Sequence, residues 1–248
     1  MSNTSAGYDV LHIAARAPLT HRLYAEAFGE QYVPGVAANS SCSWFFLGTA
    51  ISALRLPPDA LLADLGCGRG GPGLWLARAM NTRLVGVDFS PAGIEDARSR
   101  APEFGLAGRA EFSVGTFAST GLESSSVDGA LSLDAFFFAP DYAEGLAEVH
   151  RILRPGGRFV FTARDTHADW TALLDTAGFA LENTLVHEGT TERWLRLFDL
   201  WVEHEAELRA EIGDEMTGYL LEESSTRSRL DGTTPLVFVA RREQREGT

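Results

Sequence analysis

A short apolar run, Leu61-Leu62-Ala63-Asp64-Leu65, opens directly into Gly66-Cys67-Gly68-Arg69-Gly70-Gly71-Pro72-Gly73. A run of strand length that stops in a glycine cluster reads as a buried parallel strand followed by a tight turn, and Gly73–Met80 reads as the helix after it. The alternation continues. Arg83–Asp88 is a second strand, and Ser90 with Pro91 opens a helix to Arg100. Ala110–Val114 and Asp128–Leu133 are the third and fourth strands. Asp141, with Glu144 three residues on, resembles a capping box that starts a helix to Leu153. Arg154-Pro155-Gly156-Gly157 forms a turn, Arg158–Ala163 a fifth strand, and His167–Ala177 a helix ended by Gly178. Strands and helices alternating at this spacing build βαβ units, hence an α/β fold with a doubly wound parallel sheet and its ligand at the carboxyl ends of the central strands.

The flanks differ. Leu19–Phe28 and Trp44–Leu54 carry helical patterns, the second stopped by Pro57 and Pro58. Leu181–Val186 and Leu236–Ala240 read as strands, and the residues between them are mostly helical, with Trp194, Leu197, Phe198, Trp201 and Leu208 near one face. The expected organisation is a single domain over 1–248: a helical cap at 1–58, a core at 59–187 and 234–242, and a helical insert at 188–233. That insert is expected to act as a lid, to mediate a homodimer, or simply to pack on its own domain.

Composition narrows the function. The 248 residues carry 21 Lys and Arg against 34 Asp and Glu, a formal charge of −13. So acidic a surface disfavours a nucleic-acid partner, because phosphate neutralisation needs basic side chains. Hydrophobic residues at 45% exclude disorder along the whole chain. The first twenty residues lack a basic region followed by an apolar stretch, and no run reaches membrane-spanning length. Cys42 and Cys67 make no disulfide framework. A cytoplasmic protein with no membrane partner is the expectation.

Gly66, Gly68 and Gly71 match G-x-G-x-x-G, a spacing that also admits dinucleotides. Asp64 argues otherwise, since a carboxylate beside a pyrophosphate repels it. A cationic ligand suits it better, and S-adenosylmethionine carries an ammonium and a sulfonium with no phosphate. Glycines allow the backbone to approach such a ligand closely. Asp88, 24 residues after Asp64, is placed to accept ribose hydroxyls, and Phe89 to pack on adenine.

With Ala63-Asp64-Leu65-Gly66-Cys67-Gly68-Arg69-Gly70-Gly71-Pro72-Gly73 as signature, supported by VGVDFS, VDGALSLD and LAEVHRILRPGGRFVFT, the chain resembles the class I S-adenosylmethionine-dependent methyltransferases over roughly Ala60 to Ala163. It is similar to the small-molecule enzymes of bacterial secondary metabolism. The resemblance implies a Rossmann-like, seven-stranded sheet with the last strand antiparallel. It also implies that Gly66 and Gly68 line the methionine moiety, Asp88 binds the ribose, and the backbone near Leu133 holds the ammonium end. Cys67 lies within the same loop. The family usually carries an acid after the third strand to accept the adenine amino group. Here Thr116 stands in its place, so Thr116 or the backbone of Phe117 is expected to touch adenine.

Methyl transfer by in-line displacement requires an oriented nucleophile and excluded water. Phe136, Phe137 and Phe138 follow the fourth strand, where an apolar acceptor is expected, and Trp44 and Trp194 are further candidates to line it. Tyr8, Tyr24 and Tyr32 could do so too, or cap the cofactor. Candidate bases are His12 and His21, His187 at the start of the insert, and Asp134; His150 reads as structural. No metal-ligand spacing is evident. The expected reaction is methylation of oxygen, nitrogen or carbon on a small, largely apolar metabolite. A protein that binds S-adenosylmethionine but catalyses cyclisation, and a nicotinamide-dependent oxidoreductase, are the alternatives.

Overall fold

The computed structural model describes His12 and residues 15–244. Seven strands form one sheet: β1 (Leu61–Leu65), β2 (Arg83–Asp88), β3 (Ala110–Val114), β4 (Val127–Ser132), β5 (Leu153–Arg164), β6 (Phe179–Val186) and β7 (Pro235–Arg242), in the order β3-β2-β1-β4-β5-β7-β6. The pairings β1·β2, β1·β4, β2·β3 and β4·β5 are parallel. Strand β7 alone reverses, lying antiparallel to both β5 and β6. The strand order switches direction between β1 and β4, which opens a crevice at their carboxyl ends.

Helices cover both faces. On one lie α2 (Trp44–Leu54), α3 (Gly71–Met80) and α4 (Pro91–Arg100), whose Phe46, Leu74, Leu76 and Ile94 join β-strand side chains such as Leu62 and Leu131 in one core. On the other, α5 (Tyr142–Ile152) and α6 (Trp170–Thr176) bury Leu146, Val149 and Leu174 against Phe159, Phe161 and Phe238. Phe161 and Phe238 face each other across the β5·β7 pair with their rings stacked at 5.0 Å. Capping follows the sequence signals at Ser90 and Asp141, and Ser43 adds a third cap. Ser90 Oγ accepts from Gly93 N–H, Ser43 Oγ from Phe46 N–H, and Asp141 Oδ1 from Ala143 and Glu144 N–H.

Most boundaries lie within two residues of the sequence expectation, and two differ by more. Strand β5 begins at Leu153, whose partner is Val127, and the Arg154–Gly157 stretch is a bulge within the strand rather than a separate turn. Helix α6 starts at Trp170 instead of His167. Asp169 Oδ1 caps it through Ala172 N–H, while His167 Nδ1 accepts from Arg164 N–H in the loop before it.

Because β6 runs parallel to the central strands, the chain leaves it at the sheet's carboxyl edge. There it forms α7 (Thr190–Glu203), α8 (Glu205–Ile212) and α9 (Asp214–Ser225) before β7. The apolar faces of these helices meet α1 (Pro18–Phe28) in a third core built from Leu23, Tyr24 and Phe28 with Leu197, Phe198, Trp201, Leu208 and Leu220. Trp201 is fully buried, and its indole N–H meets no acceptor among the described residues. Packing, not hydrogen bonding, is therefore its contribution. Trp201→Phe should change stability by less than about 1 kcal/mol, whereas Trp201→Ala should lose about 3–5 kcal/mol through the cavity it leaves. Urea denaturation reads both, and equal losses for the two variants would contradict this view of the contact.

Candidate active site

The glycine loop is shaped by the two strand-end acids beneath it. Gly66 and Cys67 both donate their N–H to Val87 O, at 2.8 and 3.1 Å, which folds the loop back over β2. Gly66 has φ 72° and Gly68 φ 49°, a left-handed backbone that glycine adopts without strain. A Cβ on Gly66 would stand 2.4 Å from Ala135 Cβ and 3.0 Å from the Phe117 ring. Gly68 N–H donates to Asp88 Oδ2 at 2.8 Å, and Ser90 N–H donates to Asp88 Oδ1 at 2.9 Å. Each oxygen of Asp88 thus keeps acceptor capacity for a further donor. Asp64 Oδ2 accepts from Gly73 N–H at 3.1 Å in the first turn of α3. Burial, reinforced by the nearby Asp88 charge, pushes the Asp64 carboxyl up to about 7.

Above this loop lies a cavity of about 320 Å³. All nine residues expected to contact the cofactor line it: Asp64, Gly66, Cys67 and Gly68 from the loop, Asp88 and Phe89 after β2, Thr116 and Phe117 after β3, and Leu133 after β4. Recessed carboxylates with acceptor capacity left over, two aromatic rings and side-chain-free backbone make a lining that fits a cationic adenosine. His12 also lines the cavity. Its ring lies against Gly68 and Gly93, where a Cβ on Gly68 would come within 2.8 Å of it. Gly68 is the residue whose N–H Asp88 accepts.

Asp134 lines the same cavity. It has φ 50°, and its carboxylate is fixed by Ser41 N–H on Oδ2 at 2.5 Å and the Thr162 hydroxyl on Oδ1 at 2.9 Å. Sequence patterns gave no sign of the segment opposite, Ala38-Asn39-Ser40, which lines the same cavity. Tyr24 is buried and donates its hydroxyl to Asn39 Oδ1.

Six expectations are corrected. His21 lines a second cavity, of about 580 Å³, among Arg16, Arg69, Arg100 and Asp96, so it faces no acceptor space at Asp134. Burial and the charges of Arg69 and Arg100 hold its imidazole below the usual range. Tyr32 lies in that second cavity too. Phe136 is a core residue, fully buried against the rings of Phe117 and Phe159 at 5.2 and 5.3 Å. Phe136–Phe138 form a 3-10 turn, which fans successive side chains around an axis, and Phe137 packs on His167 at 4.7 Å. Only Phe138 of the three reaches the cavity. Trp44 sits on the outer side of α2, 43% exposed and 5.6 Å from Trp75. Trp194 packs on Tyr24 and Phe28, both at 6.3 Å, because the apolar face of α7 is covered by α1.

His187 is buried with Nε2 2.8 Å from Ser43 Oγ, and burial brings its pKa down to about 4. His150 packs edge-on against Phe179. Tyr8 lies outside the described residues. Among the described residues no group of three His, Cys, Asp or Glu side chains could hold a metal ion, and no helix is long and apolar enough to cross a membrane.

Comparison with known proteins agrees with this geometry. Residues 63–161 match the model of a methyltransferase domain. A 24-methylenesterol C-methyltransferase 2 from Oryza sativa subsp. japonica is 36% identical over 107 residues, 43% of this chain and 30% of that protein. An uncharacterised 37.1 kDa protein from a Streptomyces fradiae transposon is 31% identical over 176 residues, 68% of this chain and 49% of its own length. The chain spans about a third of the length of the sterol and squalene methyltransferases that it matches. Among solved structures, the [4+2]-cyclase SpnF superposes with a TM-score of 0.75 at 18% identity, covering 96% of this chain and 94% of that one. A putative sarcosine dimethylglycine methyltransferase from Galdieria sulphuraria gives 0.73 at 18% identity, covering 90% and 97%. Sheet order, glycine loop and paired strand-end acids converge with the domain match, and residues 63–161 form a methyltransferase domain of the class I S-adenosylmethionine-dependent type.

Proposed function

We propose that the protein transfers the methyl group of S-adenosylmethionine to a carbon of a small, largely apolar acceptor of the kind made in secondary metabolism. The observation that carries this reading is the state of the titratable groups around the cavity. The Asp134 carboxylate already accepts from Ser41 N–H and the Thr162 hydroxyl, which weakens it as a base, His187 is tied to Ser43, and the His12 ring is packed against Gly68 and Gly93. An oxygen or nitrogen acceptor that must first lose a proton would require a base beside it. A carbon acceptor attacks before it loses its proton, and the carbocation so formed is acidic enough to give that proton to the hydrogen-bonded Asp134 carboxylate, which keeps an acceptor site on each oxygen. The C-methyltransferases of sterols and the squalene methyltransferases among the relatives support the same choice.

When bound, the cofactor supplies a methyl on a sulfonium, an electrophile that needs no further activation. The residues of this chain hold the two reactants in line. Asp88 fixes the sugar, Gly66 and Gly68 let the backbone close on the amino-acid moiety, and Asp64 adds negative charge beneath it. Phe138 and Ala139 offer apolar surface for the acceptor, and the Ala38–Ser40 segment closes the opposite wall.

A non-methylating reading, in which the cofactor is structural and the cavity promotes a cyclisation, draws on the same shortage of a base. Incubation with methyl-labelled S-adenosylmethionine and a panel of unsaturated sterols and terpenoids separates the two. Label in the product is expected, with Asp134→Asn lowering kcat at least about tenfold while S-adenosylhomocysteine affinity is kept. Product that forms without label would overturn the transfer.

The raised Asp64 carboxyl gives a pH dependence with a definite sign. Below about 7 it takes up a proton and loses its attraction for the ligand's ammonium. Cofactor affinity should therefore fall as pH drops through about 7, with a slope approaching one proton per ligand. Asp64→Asn should remove that component. Calorimetry in buffers of different ionisation enthalpy reads the proton count, and identical profiles for the two proteins would contradict the role given to Asp64.

A further inference from the structure

We infer that Glu144, on the first turn of α5, accepts the exocyclic amino group of the cofactor's adenine in place of the acid that the chain lacks after β3. The inference rests on the cofactor assignment above and concerns which residue reads the base.

Thr116 occupies the position after β3 where an acid was expected, but the structure uses it up locally. Thr116 N–H donates to Ser119 O at 3.0 Å, Thr116 O accepts from Ser119 N–H at 3.2 Å, and Thr116 Oγ1 also accepts from Ser119 N–H at 3.1 Å. The turn closes on itself. An adenine amino group is a donor and requires an acceptor, and a hydroxyl oxygen already engaged in a turn is a poor one.

Helix α5 brings a carboxylate to the same end of the cavity. Phe117, Ala118, Asp141 and Glu144 all line it. The approach is close because residue 145 has no side chain. A Cβ on Gly145 would stand 3.1 Å from the Phe136 ring and 3.6 Å from Phe117 Cβ. Of the two acids on this turn, Asp141 is held in place as the helix cap. Its Oδ1 accepts from Ala143 N–H at 2.8 Å and Glu144 N–H at 3.1 Å. In a complete capping box the third residue's carboxylate would reach back to the Asp141 N–H. Glu144 does not, and its carboxylate forms no hydrogen bond or ion pair among the described residues. The half-formed box leaves the Glu144 carboxylate to the cavity that Phe117 also lines, and a carboxylate holds an amino donor more strongly than a neutral oxygen does.

The test compares S-adenosylhomocysteine with S-inosylhomocysteine, which carries a 6-oxo group in place of the 6-amino group, by calorimetric titration. The unaltered protein should prefer the adenosyl ligand by about tenfold or more, because the oxo group would face a carboxylate. Glu144→Ala should weaken the adenosyl ligand about five- to tenfold, leave the inosyl ligand unchanged or improved, and so erase the preference. Glu144 is exposed, so the melting temperature should not move. Placing the acid back after β3, as Thr116→Asp in the Glu144→Ala background, should restore part of the preference. Equal weakening of both ligands, or an unchanged preference in Glu144→Ala, would overturn the assignment to Glu144. Failure of the unaltered protein to bind S-adenosylhomocysteine would instead overturn the cofactor assignment, and this inference with it.

Discussion

Two carboxylates beneath a loop without side chains set the terms for the rest of the molecule. Asp64 and Asp88 end adjacent parallel strands, and each is anchored by a backbone N–H of the segment above, Asp88 by Gly68 and Asp64 by Gly73. The loop is thus hydrogen-bonded to the acids to which we assign ligand recognition, so turn geometry and charge placement are one arrangement. Keeping two acids in so buried a place has a cost, and it shows in the raised Asp64 carboxyl. A cationic ligand relieves that cost, whereas a pyrophosphate would increase it.

The surrounding elements hold this arrangement rigid and enclose it. A Cβ on Gly71 would overlap Val36 O, so the segment before α2 rests directly on the start of α3. Arg100 secures that segment by donating to Gly35 and Val36 carbonyls, and Arg69 joins it to Asp96 and to the Ala15 carbonyl. The N-terminal part of the chain is in this way tied to the glycine loop. Its helix α1 then supplies the surface on which α7–α9 pack. The wall of the cavity opposite the sheet is consequently made by residues distant in sequence from the loop, Asn39 and Ser40 among them.

That division explains what was legible in the sequence. β1, β2 and β3, the Ser90 and Asp141 caps and the cavity-lining residues of the glycine loop and strand ends are local features. Each follows from a strand period, a glycine spacing or an acid at a strand end. The acceptor side is not local. Phe136, Phe137 and Phe138 look equivalent as a run, yet a 3-10 turn sends one into the core, one onto His167 and one to the cavity. Trp194 lies on an amphipathic face whose pattern shows that it is covered but not by what. His21 and His12 are close in sequence, yet one lines the arginine-rich second cavity and the other the main one. Glu144 had half a signal, the capping-box spacing together with the missing acid at Thr116, but only the fold brings those two positions together.

The account stands on charge selection at the glycine loop, and a paired calorimetric titration with S-adenosylhomocysteine and with NAD tests that claim most directly. Saturable, one-to-one binding of the homocysteine nucleoside and none of NAD is the predicted result. Binding of NAD at the same site, displaced by the nucleoside or in preference to it, would contradict the claim that Asp64 and Asp88 select a nucleoside without phosphate.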